Sequence, residues 1–125
     1  MAKSSNPAFT KLELQIMQVI WKRGASTVGE VQEGLEQELA YTTVQTVLNI
    51  LERKGRLSRE LRGRAFVYSA TVTEAKASVH ALRDLIDRMF GGSSEDLVMS
   101  LVKSKQLDTR KLAQLTRRLE KENQK

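Results

Sequence analysis

The stretch "AYTTVQTVLNILERKG", residues 40–55, decides the fold. Val44, Val47, Leu48 and Leu51 recur at helical spacing and mark one inward stripe. Away from that stripe stand Thr43, Gln45, Thr46 and Asn49. A surface helix is ordinarily dressed in charged residues; this one carries compact, uncharged hydrogen-bonding groups. Thr42 and Gln45 also have the spacing of a capping box, so the pattern supports two readings. One is a capped, solvated helix; the other is a helix whose outer face reads the edges of base pairs.

The flanking segments favour the second reading. Upstream, Thr10 and Glu13 form a capping-box pattern that opens a helix with Leu12, Ile16, Val19 and Ile20 on one side. Leu14, Met17 and Trp21 widen its apolar surface, and Gly24 stops it. Thr27 and Glu30 repeat the pattern before a second helix with Val28, Val31, Leu35 and Leu39 inward. Downstream of the terminating Gly55, the period changes in "RLSRELRGRAFVYSA", residues 56–70. Turn chemistry at Arg62-Gly63-Arg64, with Leu57 before it and Phe66, Val67 and Tyr68 after it, predicts a β-hairpin. Three short helices and a basic hairpin describe a winged helix-turn-helix over residues 10–72. Residues 1–9 read as a loose tail.

In such a motif the second helix lies in the major groove, with its N-terminal residues at base edges. Gln and Asn can pair bidentately with adenine, and Thr can bond a base or place its methyl against thymine. Thr42, Thr43, Gln45, Thr46 and Asn49 are therefore candidate DNA contacts. Tyr41 is either a sugar-phosphate contact or an apolar staple at the helix start. Between residues 53 and 64 stand Arg53, Lys54, Arg56, Arg59, Arg62 and Arg64, with Glu60 the only acid. Phosphate neutralisation supplies most non-specific DNA affinity, and Arg53, Lys54, Arg62 and Arg64 are the basic residues expected to supply it. Arg62 and Arg64 flank the hairpin glycine as a wing that can touch phosphate or enter the minor groove.

From Thr73 the chain is helical again, giving a second region over residues 73–125. Val79, Leu82, Leu85, Ile86, Met89 and Phe90 form one stripe, and Gly91-Gly92 interrupts it. Leu97, Val98, Leu101 and Val102 form a second stripe; Asp108 caps a third helix with Leu112, Leu115 and Leu119 inward. About fifty residues in three amphipathic helices make a poor core by themselves. Pairing with a second copy of the chain is the favoured solution, and a C2 dimer is the commonest homo-oligomer. The overall class is mainly α, with a winged helix-turn-helix followed by a helical dimerisation domain.

Composition agrees. The net charge is +6 over 125 residues, which favours an anionic partner. There is no cysteine, hence no disulfide framework or thiolate metal site. No apolar run of membrane-spanning length occurs, and the N-terminal "MAKSSNPAF" has no apolar signal region, so a cytoplasmic protein without membrane insertion is expected. The one histidine, His80, lies a helical turn from Asp84; two groups do not complete a metal site. No residue constellation for catalysis exists, and no cofactor is implied. Trp21, Met89 and Phe90 read as core rather than as the lining of a ligand pocket.

"LELQIMQVIWKRGASTVGEVQEGL", residues 12–35, together with residues 40–70, resembles the penicillinase and methicillin-resistance repressors (BlaI and MecI), a family that includes the copper-responsive CopY repressors. The resemblance is carried by Ile16-Met17 and Trp21, by Thr27-Val28 with Glu30-Val31, by Tyr41-Thr42-Thr43-Val44 with Thr46 and Leu48, and by the Gly63-Arg64 wing with Tyr68. It implies a homodimeric repressor on a partly palindromic double-stranded operator. By position, Tyr41, Thr42, Thr43, Gln45 and Thr46 would read that operator, and Arg62 and Arg64 would serve the wing. The C-terminal stripes would make the dimer, and an upstream sensor or protease would relieve repression. Two departures stand out. Ser100-Leu101 occupies the place of the Asn-Phe bond at which antibiotic-responsive members are cleaved, and the copper-responsive members' C-terminal cysteine pairs are missing. The rival to DNA binding is a protein-interaction module whose basic hairpin docks an acidic partner.

Overall fold

The computed structural model describes residues 9–123. Among them are six helices, α1 (Lys11–Arg23), α2 (Val28–Gly34), α3 (Tyr41–Arg53), α4 (Glu74–Met89), α5 (Ser94–Lys103) and α6 (Thr109–Asn123). Three strands, β1 (Ser26–Thr27), β2 (Leu57–Arg62) and β3 (Ala65–Ala70), form an antiparallel sheet in the order β1-β3-β2. The chain divides into two compact units after Ala81, inside α4.

The first unit is a winged helix built around one core. Ile16, Met17 and Ile20 of α1 meet Val28 and Val31 of α2, Val44, Leu48 and Leu51 of α3, and Leu57 and Tyr68 of the hairpin. These are the residues that helical and strand periodicity place inward. Both expected N-terminal caps form. Thr10 Oγ1 accepts from Glu13 N at 3.1 Å while Glu13 Oε1 accepts from Thr10 N at 2.9 Å, and Thr27 and Glu30 repeat this exchange. Each box satisfies two backbone donors that the first helical turn leaves open. Gly34 sets how closely α2 approaches α1, because a Cβ there would lie 2.7 Å from Val19 Cγ1.

Four details depart from the sequence reading. α2 ends at Gly34 with Leu35 as its C-cap, so Leu35 and Leu39, expected inward on that helix, pack on the core from beyond its end. Residues 26–27 pair with Val67 and Tyr68 as a third strand, a two-residue element too short to show a period. Phe9, assigned to the tail, packs on the core and meets Trp21 edge-to-face at 6.3 Å; the rest of that tail, residues 1–8, lies outside the described residues. The Thr42–Gln45 capping box is not made: α3 starts two residues earlier than that box would place it, with Ala40 as its N-cap and no side-chain cap bond. That leaves both side chains on the outer surface. Trp21 takes the structural role expected of it, half-buried with Nε1 donating to Val72 O at 2.9 Å.

The second unit has helices but no core. Gly91 and Gly92, both at positive φ, separate α4 from α5, and Asp108 Oδ1 caps α6 through Lys111 N at 2.7 Å. No residue of α5 or α6 is buried. Leu82, Leu85 and Leu119 are exposed, and Met89 is 70% exposed, so Met89 is not core within one chain. Ile86, Phe90, Leu97, Val98, Leu101, Leu112 and Leu115 are only half-buried. Among the described residues no helix is long and apolar enough to cross a membrane.

Candidate nucleic-acid interface

The outer face of α3 is set by its inner one. Val44, Leu48 and Leu51 are fully buried, and a helix turns about 100° per residue. Thr42, Gln45, Thr46, Asn49 and Arg53 therefore line the opposite side. Thr42, Gln45, Thr46 and Arg53 are exposed, and Asn49 is half-buried. Thr43 and Tyr41 sit on the two flanks of that stripe, both exposed. Tyr41 is the first helical residue, one position beyond the N-cap and so outside the staple position that precedes the cap. The stripe presents donors and acceptors with short reach and no net charge until Arg53.

The hairpin stands beside this helix. Arg62 pairs with Ala65 across a two-residue loop, Gly63-Arg64. Gly63 has φ 64° and Arg64 is not at positive φ, the pattern of a type II′ turn with glycine at its first central position. The register places Leu57 opposite Ala70, Arg59 opposite Tyr68 and Leu61 opposite Phe66. These pairs share one face of the ribbon, and Leu57 and Tyr68 of that face enter the core formed with α3.

Hydrogen bonds tie the two elements together at Asn49. Tyr68 Oη donates to Asn49 Oδ1 at 2.8 Å, and Arg59 Nη1 donates to the same oxygen at 3.3 Å. Two donors fill both lone pairs of that carbonyl. Bidentate pairing with adenine needs the amide oxygen as an acceptor as well as the nitrogen as a donor, so in this arrangement Asn49 offers only its donors. Gln45 is exposed and makes no side-chain hydrogen bond among the described residues.

The basic residues differ in how much charge they have to spare. Lys54 Nζ lies 2.9 Å from Glu13 Oε2, whose side chain is only 6% exposed. Burial pushes the Glu13 carboxyl up, but the hydrogen bonds from Lys54 and Thr10 and the charges of Lys54 and Arg56 outweigh it and hold the group below the ordinary glutamate value. Arg62 pairs with Glu60 at 3.0 Å, and Arg56 stacks over the Phe9 ring at 4.8 Å. Arg53 and Arg64 make no ion pair among the described residues. Arg59, present in the basic run but not picked out from sequence, lies 4.3 Å from the Phe66 ring centre. The signal that could have found it is the period-2 alternation of β2, which puts residue 59 on the α3 side.

The remaining sequence candidates lie elsewhere. Asp84 pairs with Arg88 at 3.0 Å, His80 is exposed, and among the described residues no group of acidic, histidine or cysteine side chains could hold a metal. Ser100 and Leu101 fall within α5, with Ser100 exposed and Leu101 half-buried.

The sequence profile described as penicillinase repressor matches residues 9–121. The penicillinase repressor of Bacillus licheniformis is 28% identical over 116 residues, 91% of each chain. The methicillin resistance regulatory protein MecI of Staphylococcus aureus (strain N315) is 22% identical over 111 residues, 87% of this chain and 90% of that one. Among solved structures, the DNA binding domain of the repressor BlaI superposes with a TM-score of 0.51 at 33% identity, covering 58% of this chain and 92% of that domain. With a winged helix whose α3 has a polar outer face, and a family match along nearly its whole length, the chain belongs to the penicillinase repressor family of DNA-binding transcriptional repressors, which are not enzymes.

Proposed function

We propose that this chain acts in the cytoplasm as a homodimer that represses transcription from a partly palindromic operator. The observation that carries this reading is the exposed, uncharged stripe of α3 beside a basic hairpin. Each protomer lays α3 in a major groove, with Thr42, Thr43, Gln45 and Thr46 at base edges and Tyr41 and Arg53 toward the backbone. Arg64, at the hairpin tip, reaches phosphate or the adjacent minor groove. The C-terminal helices join two copies so that the two reading helices meet half-sites one DNA turn, or a multiple of it, apart. Joining them makes the second half-site contact intramolecular, so occupancy depends on the dimer.

The test is a titration of the purified protein against duplex from its own promoter region and against scrambled duplex, at two salt concentrations, with solution mass measured in parallel. A dimer that prefers the promoter duplex upholds the proposal. Equal, weak binding to both duplexes that disappears with salt overturns it. Gln45→Ala then sharpens the assignment. It should relax preference at one base pair by about 1–3 kcal/mol if the amide pairs bidentately; equal losses on operator and scrambled DNA would remove Gln45 from the reading set.

A further inference from the structure

The six basic residues from the last turn of the reading helix through the hairpin are not six equivalent phosphate ligands. Lys54 is engaged by Glu13 and Arg62 by Glu60. To meet a phosphate, each must share or leave a carboxylate. Arg59 is held differently. Its guanidinium lies 4.3 Å from the Phe66 ring centre, a diagonal neighbour across the ribbon, and Nη1 donates to Asn49 Oδ1 at 3.3 Å. Asn49 is in turn oriented by the 2.8 Å bond from Tyr68, a residue buried in the core. A rigid element thus positions Asn49, and Asn49 and Phe66 position a side chain that is itself exposed.

None of these partners is anionic, so the full positive charge of Arg59 remains. Of its five N–H donors one is directed at Asn49, and the others stay available in a fixed plane. A weakly hydrated guanidinium, stacked and already oriented, loses less freedom on meeting a phosphate than a free lysine does. Its place is the corner between α3 and the hairpin. When α3 occupies a major groove, the sugar-phosphate strand bordering that groove is what enters such a corner.

We propose that Arg59 is a preorganised phosphate-binding residue, held by Phe66 and by the Asn49–Tyr68 pair, and that it fixes the register of the reading helix on the DNA backbone. This rests on the DNA-binding reading above. It also gives Asn49 a positioning role in place of direct base reading.

The experiment measures affinity over a series of salt concentrations for the full-length protein, using the promoter-region duplex and a scrambled duplex of equal length. Arg59→Ala, Arg59→Lys, Phe66→Leu and Arg62→Ala are compared with the unaltered chain, and thermal melts confirm that each is folded. Arg59→Ala should weaken both duplexes by a similar factor, about tenfold or more, and lower the salt slope by about one for each protomer engaged. Arg59→Lys and Phe66→Leu keep the charge, so the slope should hold while affinity falls. Arg62→Ala should flatten the slope less than Arg59→Ala does. An unchanged slope in Arg59→Ala overturns the proposal, as does an Arg62→Ala effect of equal size. Full affinity in Arg59→Lys overturns the preorganisation. If the unaltered chain binds neither duplex, the DNA-binding reading itself fails and Arg59 falls with it, an outcome distinct from selective binding that ignores Arg59.

Discussion

The first unit and the second are built from the same kind of helix, yet only one has an interior. In residues 9–81, α1, α2, α3 and the hairpin bury Ile16, Met17, Val31, Val44, Leu48 and Leu51 completely. In residues 82–123, stripes of equal regularity leave Leu82, Leu85, Met89, Met99 and Leu119 exposed. The difference lies in closure. A helix stripe becomes core only when other elements surround it, and the β-ribbon of the first unit supplies the side that three short helices leave open. Amphipathic helices without that cover stay marginal in water, and contiguous exposed apolar surface marks an interaction face. The same periodic signal therefore means a finished core in one region and an uncovered apolar face in the other.

Substituting one leucine in each unit separates the two cases. Leu48→Ala should cost about 2–5 kcal/mol, since a fully buried leucine leaves a cavity. The loss should be independent of protein concentration in denaturant melts of the first unit. Leu85 tests the other side. Leu85→Glu places a charge on an exposed apolar stripe, so the fold of one protomer should hardly notice. Sedimentation should instead show a shift toward monomer, with operator affinity falling by about a hundredfold or more as the bivalent advantage is lost. A Leu85→Glu protein that stays dimeric with full affinity would mean that the α4 stripe is not the interface.

The first unit was legible in the sequence because its signals are redundant. Two capping boxes, Gly24 and Gly55 at helix ends, and a period change at residue 57 all agree. Its β1 strand escaped because two residues carry no period, and Phe9 escaped because a single aromatic residue before a cap looks like tail. The polar outer face of α3 was visible as composition. The pairing of its neighbours was not: the bonds of Glu13 to Lys54 and of Asn49 to Tyr68 span 41 and 19 residues, and no local pattern announces them. Counting basic residues therefore does not reveal that Lys54 is paired with a buried carboxylate or that Arg59 is held by Asn49 and Phe66. In the second unit the stripes were plain, but periodicity marks only which side of a helix is apolar, not whether anything covers it, and Leu82, Leu85 and Met89 stay exposed.

A smaller effect probes how the first unit is locked. Glu13 is buried and bonded both to the α1 cap and to Lys54 at the end of α3. Its folded pKa is lowered, so its contribution is fully present above the ordinary unfolded value of about 4.3. That contribution is lost as pH falls through the folded value below it. Glu13→Gln preserves the capping geometry and removes the charge. Because Lys54 is 43% exposed, screening limits the expected loss at neutral pH to roughly 0.5–1 kcal/mol. The gap between the two proteins should close in acid, below about pH 4.3. A gap that persists there would assign the loss to packing rather than charge.

The smallest expected effect returns to the two units through one shared motif. At the end of α3, Arg56 N donates to Leu51 O and Gly55 N to Glu52 O. At the end of α5, Gln106 N donates to Leu101 O and Lys105 N to Val102 O. Both are Schellman closures, which need a left-handed residue at the turn. The first unit uses Gly55 at φ 80°; the second uses Lys105 at φ 65°, the only non-glycine residue at positive φ among those described. A side chain in that conformation costs about 1–2 kcal/mol, partly offset because glycine is harder to order than lysine. Lys105→Gly should therefore stabilise the α5 terminus by about 0.5–1 kcal/mol, read as slower amide exchange over residues 101–107. Gly55→Lys should destabilise α3 by a similar amount or more. If Lys105→Gly leaves exchange unchanged, the α5 closure is not held in the folded chain, and the second unit is less ordered by itself than its hydrogen bonds imply. If it slows exchange, strain at Lys105 is one local reason, beyond the missing core, why this unit is the weaker of the two.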